Sequence, residues 1–343
     1  MTVHPLRRLL DPRRLAPGEV RATFDALTSD ASDDVERTAL LVALSARRPE
    51  PLELAAFARE MRRRAVPFPI PSPEHTIDLC GSGGARRPSF NVSTVSAFVV
   101  RAAGVPVAKH GNRSRGTCGS SDLLAALGLP VLTSIPFARA SFRRYGIAFL
   151  HAPLFHPSTR AVAPVRARLA VPTIFNRLGP LSNPAGVRRQ VSGAIDVPSA
   201  TGTARALRAL GVSRGVAMTS DDGCDEFSPR ATTTAIAWTP SRVRTLRIRP
   251  SDLLDSDDRR GSWEALPPPS AAEETERILA GGGGARRGSV LLTSGAALWI
   301  VGRAASLRSG VERARAVLDS GTPERLLSDL RSLADRFPHS QEA

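Results

Sequence analysis

The sequence has almost no lysine: of 47 basic residues over 343 positions, only Lys109 is a lysine and the rest are arginine. Acidic residues are nearly missing from one stretch as well. Between Arg86 and Gln190 stand 14 arginines and Lys109 against the single acid Asp122, so this stretch carries +14 of the formal +15. The first 70 residues hold 12 arginines against 10 acids and are close to balanced. Arginine bias explains the choice between the two cations, but not the loss of aspartate and glutamate over so long a stretch. An anionic partner near the middle segment explains it, either a small polyphosphate or a nucleic acid.

Cysteine is scarce too. Cys80, Cys118 and Cys224 are too few and too scattered for a disulfide framework or a CxxC metal site, which predicts reduced thiols. Long apolar runs are absent: no stretch approaches the roughly 20 residues of a membrane span. Met1 to Arg14 also lacks the apolar core and small-residue cleavage site of a signal peptide, so the expectation is a cytoplasmic protein with no membrane partner. No internal repeat is visible. A chain of this length, 42% hydrophobic and 23% charged, can bury a large core and predicts two domains.

Up to about Arg64 the pattern is helical, with Leu40, Leu41 and Leu44, then Leu54, Phe57 and Met61, at three- and four-residue spacing. The prolines of Pro67-Phe68-Pro69-Ile70-Pro71-Ser72-Pro73 remove backbone donors and force extended geometry, which places a boundary there. The expected division is an α-helical domain over 1–70 and an α/β domain over 71–343. In the second, apolar runs of strand length at 76–80, 105–108, 147–151 and 215–219 alternate with helix-length segments. That alternation predicts an α/β fold, a mainly parallel central sheet flanked by helices. Val290 to Val301 and Leu326 to Leu333 read as closing helices.

Three motifs carry chemistry. Asp78-Leu79-Cys80-Gly81-Ser82-Gly83-Gly84 ends a strand in a turn whose glycines let backbone amides face an anion; it is either a phosphate cradle or a structural tight turn. Arg86 excludes a GxGxxG pattern, and no Gly-Lys-Ser/Thr follows to make a Walker loop. In Ser89-Phe90-Asn91-Val92-Ser93-Thr94, Asn91 or Ser93 can cap the helix that runs to Ala103 and stops at Gly104, and the first-turn amides either are simply capped or meet an anion. The third motif runs from Lys109 to Asp122 and gathers lysine, arginine, asparagine, small hydroxyls and another helix start within 14 residues. A compact ammonium kept here amid arginines points to phosphate.

The succession Asp-x-x-Gly-Ser-Gly-Gly, Phe-Asn-Val-Ser-Thr, Lys-His-Gly-Asn-Arg and Gly-Ser-Ser-Asp resembles the anthranilate phosphoribosyltransferases. His156-Pro157, Val165-Arg166, Thr173-Ile174-Phe175-Asn176, Leu178-Gly179-Pro180-Leu181, Asn183-Pro184-Ala185, Asp225-Glu226 and Gly302-Arg303-Ala304-Ala305-Ser306-Leu307 extend the match over most of the chain. The resemblance implies magnesium-dependent transfer of a phosphoribosyl group from phosphoribosyl pyrophosphate to the amine of anthranilate. It also implies that Gly81, Gly84, Ser89, Asn91, Ser93, Thr94, Lys109 and Ser120 contact the donor, with Gly111 and Arg113 in the same binding run. Ser93, Asp225 and Glu226 would serve Mg2+, whose hard oxygen preference suits hydroxyl, carboxylate and diphosphate. Arg166 would grip the anthranilate carboxylate with two parallel bonds, beside Gly81 and Asn112. Lys109, Asn112 and Arg166 are thus the expected catalytic residues, while His110 either lines the acceptor pocket or stands just outside it. The N-terminal helices resemble the family's dimer-forming part and imply a homodimer.

The sequence departs from that pattern in places. Ala85 followed by Arg86 and Arg87 stands where the glycine loop usually ends in aspartate, and the segment at Gly116-Thr117-Cys118 is one residue short. Cys118 there is either a reactive thiol or a small filler. Thr159 replaces a larger side chain, and Pro267-Pro268-Pro269 with Glu273-Glu274-Thr275 replaces a Gly-Gly and Glu-Asn signature. Two alternatives follow: a relative without turnover whose basic face binds nucleic acid, or a transferase with another aromatic acceptor.

Overall fold

The computed structural model describes residues 4–82, 87, 89–114 and 118–337. Four helices open it: α1 (Pro5–Leu9), α2 (Pro17–Thr28), α3 (Asp34–Arg47) and α4 (Pro51–Arg63). Three of them start on proline, whose missing N–H would be unpaired at that position anyway. The remaining one, α3, is capped by Asp33, which accepts from the Glu36 N–H at 2.8 Å. Phe24, Leu40, Leu41, Leu44 and Phe57 bury their apolar stripes in one cluster, each worth about 1.5–3 kcal/mol relative to exposure. Glu53 is buried beside them, held by Arg47 at 2.9 Å and by the Leu15 N–H at 2.9 Å.

The chain then alternates β1 (Ile77–Cys80), α5 (Val92–Ala102), β2 (Val107–Gly111), α6 (Ser120–Ala126), α7 (Ile135–Tyr145) and β3 (Ile147–His151). Short helices α8 (Ala152–Phe155), α9 (Ala163–Leu169) and α10 (Ile174–Leu178) carry it back to the first four, and Val162, Val165, Ile174 and Phe175 share their core. After that come β4 (Arg189–Gly193), α11 (Val197–Ala209), β5 (Arg214–Ser220), β6 (Thr233–Trp238) and β7 (Val243–Ile248). Helices α12 (Pro268–Leu279), α13 (Ala285–Ile300), α14 (Leu307–Asp319) and α15 (Thr322–Ala334) close the described chain.

The seven strands lie in the order β3-β2-β1-β4-β5-β6-β7, parallel through β5 and antiparallel for β6 and β7. From β1 the chain winds outward to β3, then returns to the other side of β1 as β4. The switch point therefore lies between β1 and β4, and the crevice beyond their carboxyl ends is where such sheets bind ligands. Helix α5 covers one face with nine of its eleven residues buried, and Phe98 meets Phe149 of β3 at 5.3 Å. Helix α14 crosses α13 backbone on backbone, since a Cβ on Gly295 would sit 2.7 Å from the Val311 nitrogen. No helix among the described residues is long and apolar enough to cross a membrane.

The mainly parallel sheet agrees with the sequence pattern, but its bounds shift. β2 begins two residues later than the apolar run suggested and continues through Lys109, His110 and Gly111, so these are strand residues rather than loop. β4, β6 and β7 had no counterpart in the sequence reading. β4, Arg-Gln-Val-Ser-Gly, is central despite its polarity because Gln190 finds partners in the Pro180 carbonyl (2.6 Å) and Cys80 Sγ (3.2 Å).

Candidate active site

The glycine loop leaves β1 toward β5. The Ser82 N–H donates to Asp225 Oδ2 at 2.7 Å, which pins the start of the loop against the acidic pair. Gly81 allows this closeness: a Cβ there would lie 3.3 Å from Asp225 Oδ2 and 4.0 Å from Glu226 Oε1. Gly193 at the end of β4 is needed for the same reason, as its Cβ would collide with the Asp225 carbonyl.

Asp225 and Glu226 are both buried, and Glu226 Oε2 has no hydrogen-bond partner. Burial and the neighbouring Asp225 charge push the Glu226 carboxyl well above its usual range, opposed by Lys109 and by the Ser93 backbone N–H. Ser93 stands in the first turn of α5 with its backbone N–H on Glu226, so two carboxylates and a helix N-terminus converge. This donor set fits a hard divalent cation. It offers only oxygens, leaves one buried carboxylate oxygen unpaired, and is too small to enclose a metal alone, since no group of three or more His, Cys, Asp or Glu suited to a metal occurs among the described residues.

Lys109 extends its ammonium across β1, donating to the Leu79 carbonyl at 2.8 Å, and is only 3% exposed. Burial lowers its pKa, while Asp78, Cys80 and Glu226 oppose that shift. Beside it, Gly111 has no room for a side chain because a Cβ would strike Ser120 Oγ. Ser120 is locked to Asn112 in both directions: the Asn112 N–H donates to its Oγ, and its hydroxyl donates to the Asn112 carbonyl, each at 3.1 Å. Lys109, Gly111 and Ser120 line one small space of about 10 Å³ with Leu124, Phe149, Leu150 and His151.

Strand alternation sends His110 to the opposite face from Lys109. There His110 Nδ1 lies 3.2 Å from the Gly179 carbonyl, and its ring meets His156 edge-on at 5.1 Å. Burial, followed by the His156 charge, drives the His110 pKa well below normal, and burial takes His156 down to about 4, so both rings are neutral at pH 7. Arg166 on α9 stacks over Phe175 at 5.2 Å and reaches Asn176 Oδ1 at 3.5 Å, on the helix that leads into Gly179. Lys109, Gly111, Asn112, Ser120, Ser93, Asp225 and Glu226 therefore gather beyond the ends of β1 and β2, His110 lies on the other face of β2 against Gly179, and Arg166 meets α10, which leads into Gly179.

Four other predicted residues have these surroundings in the free chain. Asn91 occupies the cap position of α5, but its side chain donates to the Cys118 carbonyl at 2.8 Å instead of capping. Arg113 pairs with Asp122 at 2.8 Å, Ser89 bridges to Glu264, and the Thr94 hydroxyl is buried without a partner. Gly84, Ala85, Gly116 and Thr117 lie outside the described residues. Cys118 is a filler: burial pushes its thiol up to about 12, too high for a reactive thiolate at neutral pH. All three cysteines are free and buried.

Sequence reasoning passed over three polar side chains. Asp78 is fully buried, accepts from the His110 N–H at 3.1 Å, and is raised to about 6 by burial against the pull of Lys109. Arg62 of α4 reaches the Leu181 carbonyl at 2.8 Å and is lowered to about 10 by burial. His151 ends β3 and bonds Ser121 at 2.9 Å. Only their burial distinguishes them, and no local pattern announces it.

A larger cavity of about 490 Å³ lies elsewhere, among Arg101, Arg144, Tyr145, Arg325 and Asp329. Size does not make it the site. It is an open surface cleft whose arginines are engaged, Arg101 with the Tyr145 carbonyl, Arg144 over the Tyr145 ring and Arg325 with Thr322.

The helical unit, the switched parallel sheet and the acid-and-lysine crevice define a transferase of the glycosyl transferase family. That family's helical bundle domain matches residues 4–65 and its a/b domain residues 73–323. The chain is 37% identical over 338 residues to the anthranilate phosphoribosyltransferase of Desulfitobacterium hafniense strain Y51, covering 97% of this chain and 99% of that one. It is 38% identical over 320 residues to that of Azorhizobium caulinodans, covering 91% and 90%. The crystal structure of anthranilate phosphoribosyltransferase from Thermus thermophilus superposes with a TM-score of 0.89 at 33% identity, over 97% of this chain and 100% of that one. The chain belongs to the anthranilate phosphoribosyltransferase family.

Proposed function

We propose that this enzyme transfers a phosphoribosyl group from phosphoribosyl pyrophosphate to the anthranilate amine with Mg2+ as cofactor, a step of tryptophan biosynthesis. The observation that carries this is the convergence of Lys109, Ser93 and the Asp225–Glu226 pair around Gly81 at the switch point. Ser93, Asp225 and Glu226 would hold the metal. When bound, the cation neutralises charge that gathers on the diphosphate as the C1–O bond breaks.

The remaining chemistry belongs to the chain. Lys109, fixed by the Leu79 carbonyl, presents a point charge to a phosphate of the donor, and the backbone amides at the start of α5 present partial positive charge. Ser120 and Asn112, bonded to each other, hold the rim of the same space. Arg166, oriented by Phe175 and Asn176, holds the acceptor carboxylate so that the amine faces C1. The amine nitrogen forms its bond to C1 as diphosphate leaves, with inversion, and the nitrogen then sheds one proton. His110 and His156, neutral at pH 7, add no charge of their own beside the acceptor, whose aryl amine is already an uncharged nucleophile.

A homodimer built on the helical unit belongs to the same proposal. Leu10, Val35, Val42 and Leu52 expose 50–78% of their surface there, four of the seven large apolar side chains that the described residues expose. A cytoplasmic setting is supported by the three buried free thiols.

The arginine surplus gives less support to the nucleic-acid alternative than its size suggests, because several of these side chains are engaged by partners within the molecule. Arg101 donates to the Tyr145 carbonyl, Arg139 to Pro67 (2.9 Å) and Arg189 to Val301 (2.6 Å), while Arg87 pairs with Glu264 and Arg168 with Asp34. The test is loss of anthranilate fluorescence on mixing with phosphoribosyl pyrophosphate and Mg2+. Loss that requires all three components supports the reading. No loss, with binding of duplex or single-stranded nucleic acid at physiological salt, overturns it.

A further inference from the structure

His151 has no role in the account so far, yet it is a buried polar side chain on the wall of the Lys109 space. It closes β3 and pairs in register with Gly111 of β2, the residue that separates His110 from Asn112. Its Nδ1 lies 2.9 Å from Ser121 Oγ, and Ser121 follows Ser120 in the first turn of α6. With the Ser121 hydroxyl as the donor of this bond, Nδ1 is its acceptor. Donation from Ser121 to Nδ1 fixes the tautomer, leaving the ring proton on Nε2. Burial, with the Arg113 charge second, holds the ring at about 4, so it is neutral near pH 7.

A buried imidazole with one nitrogen engaged needs a partner for the other. Nε2 has no protein partner among the described residues and, unlike His110 Nε2, is not wholly enclosed, so it stays open to a ligand or water. The polar groups that share its space are Lys109 and Ser120, with room for about one water. Two groups present protons to that space, the ammonium, which has more than the one it gives to Leu79, and the imidazole N–H, while the Ser120 proton goes to the Asn112 carbonyl. Such a wall suits an oxygen that only accepts, as a phosphate oxygen does.

We propose that His151 is a further donor-site residue, whose Nε2–H donates to a phosphate oxygen of the phosphoribosyl donor in the space beside Lys109, with Ser121 as its positioning residue. This rests on the phosphoribosyl-transfer reading. The interaction is a neutral donor on an anionic acceptor, and its loss should weaken donor use by about tenfold, or about 1.4 kcal/mol. Phenylalanine fills the same volume without a proton, and glutamine restores an N–H near the Nε2 position.

The test is steady-state kinetics of the unmodified enzyme and of His151→Phe, His151→Gln, Ser121→Ala and Ser121→Thr, with circular dichroism confirming the fold of each. His151→Phe should raise the KM of phosphoribosyl pyrophosphate about tenfold and change that of anthranilate less than twofold. His151→Gln and Ser121→Thr should recover most of the loss, and Ser121→Ala should lose part of it. Equilibrium titration with inorganic phosphate should show the same ranking without turnover. A folded His151→Phe enzyme with an unchanged donor KM, or with its change on anthranilate instead, overturns the proposal and leaves the transfer reading standing. Absence of transfer by the unmodified enzyme overturns both.

Discussion

Replacing the lone lysine tests the donor site at its most constrained point. Lys109→Met keeps the length of the side chain and removes a cation that is buried and bonded to the Leu79 carbonyl at 2.8 Å. Two effects should separate. Activity loses a charged hydrogen bond to phosphate, worth about 1.5–3 kcal/mol in the bound substrate and up to about 4 kcal/mol if it tightens in the transition state, so kcat/KM should fall by about 10–10³. Stability should change little at pH 7. The ammonium is destabilised by burial, and the charge it compensates, Asp78, already has a pKa near 6 and takes up its proton when Lys109 is gone. Lys109→Arg keeps the charge but should fail as well, because the adjoining space of about 10 Å³ will not admit a guanidinium without displacing Ser120. The assays are anthranilate fluorescence with varied donor and thermal unfolding of each variant. A Lys109→Met enzyme that is folded and within threefold of the parent kcat/KM would refute the reasoning.

Other outcomes follow from the same geometry. Asp225→Asn combined with Glu226→Gln should abolish magnesium-dependent turnover while melting no lower than the parent, since it relieves two buried acids that repel each other; retained turnover removes them from the metal site. Arg166→Ala should raise the anthranilate KM about 10–100-fold and leave the donor KM within threefold, whereas equal effects on both would deny it the carboxylate. His151 and His156 both fall from 6.5 to about 4 on folding, so the unfolded chain binds more protons between those values. Each should therefore remove up to about 3 kcal/mol of stability as pH drops from 6.5 to 4, opposed by Asp78, whose pKa folding raises. Denaturant midpoints of His151→Phe and the parent, compared at pH 7 and pH 4.5, should differ in favour of the variant at the lower pH; a constant difference would contradict it.

Legibility differs between local and tertiary features. Val92 to Ala102 folds as the apolar run behind Asn91 suggested, and 147–151 is a strand at the bounds its sequence gave, because period and punctuation are local signals. Gln190 in β4 could not be read that way. Its fitness for a central strand depends on the Pro180 carbonyl ten residues earlier and on Cys80 across the sheet. The largely exposed β7, with Val243, Arg244, Thr245 and Arg247 open to solvent on both faces, likewise resembles a solvated segment until β6 pairs with it. In the candidate site, Lys109 stood out as the lone ammonium among arginines, whereas Ser93 and Asp225–Glu226 were given their metal role by the family resemblance. Asp78, Arg62 and His151 were not legible, because their meaning comes from burial by elements distant in sequence. Asn91 shows the converse: a good cap by sequence, it serves the Cys118 carbonyl instead.

The central claim is that one crevice gathers the donor's charges. A crystal structure of this enzyme soaked with phosphoribosyl pyrophosphate and Mg2+ tests it directly. The account predicts diphosphate and metal density between Ser93 and the Asp225–Glu226 pair, with a phosphate oxygen on Lys109 Nζ. Density for the donor at another surface, with Lys109 still bonded only to Leu79 and no metal at the acidic pair, would contradict it.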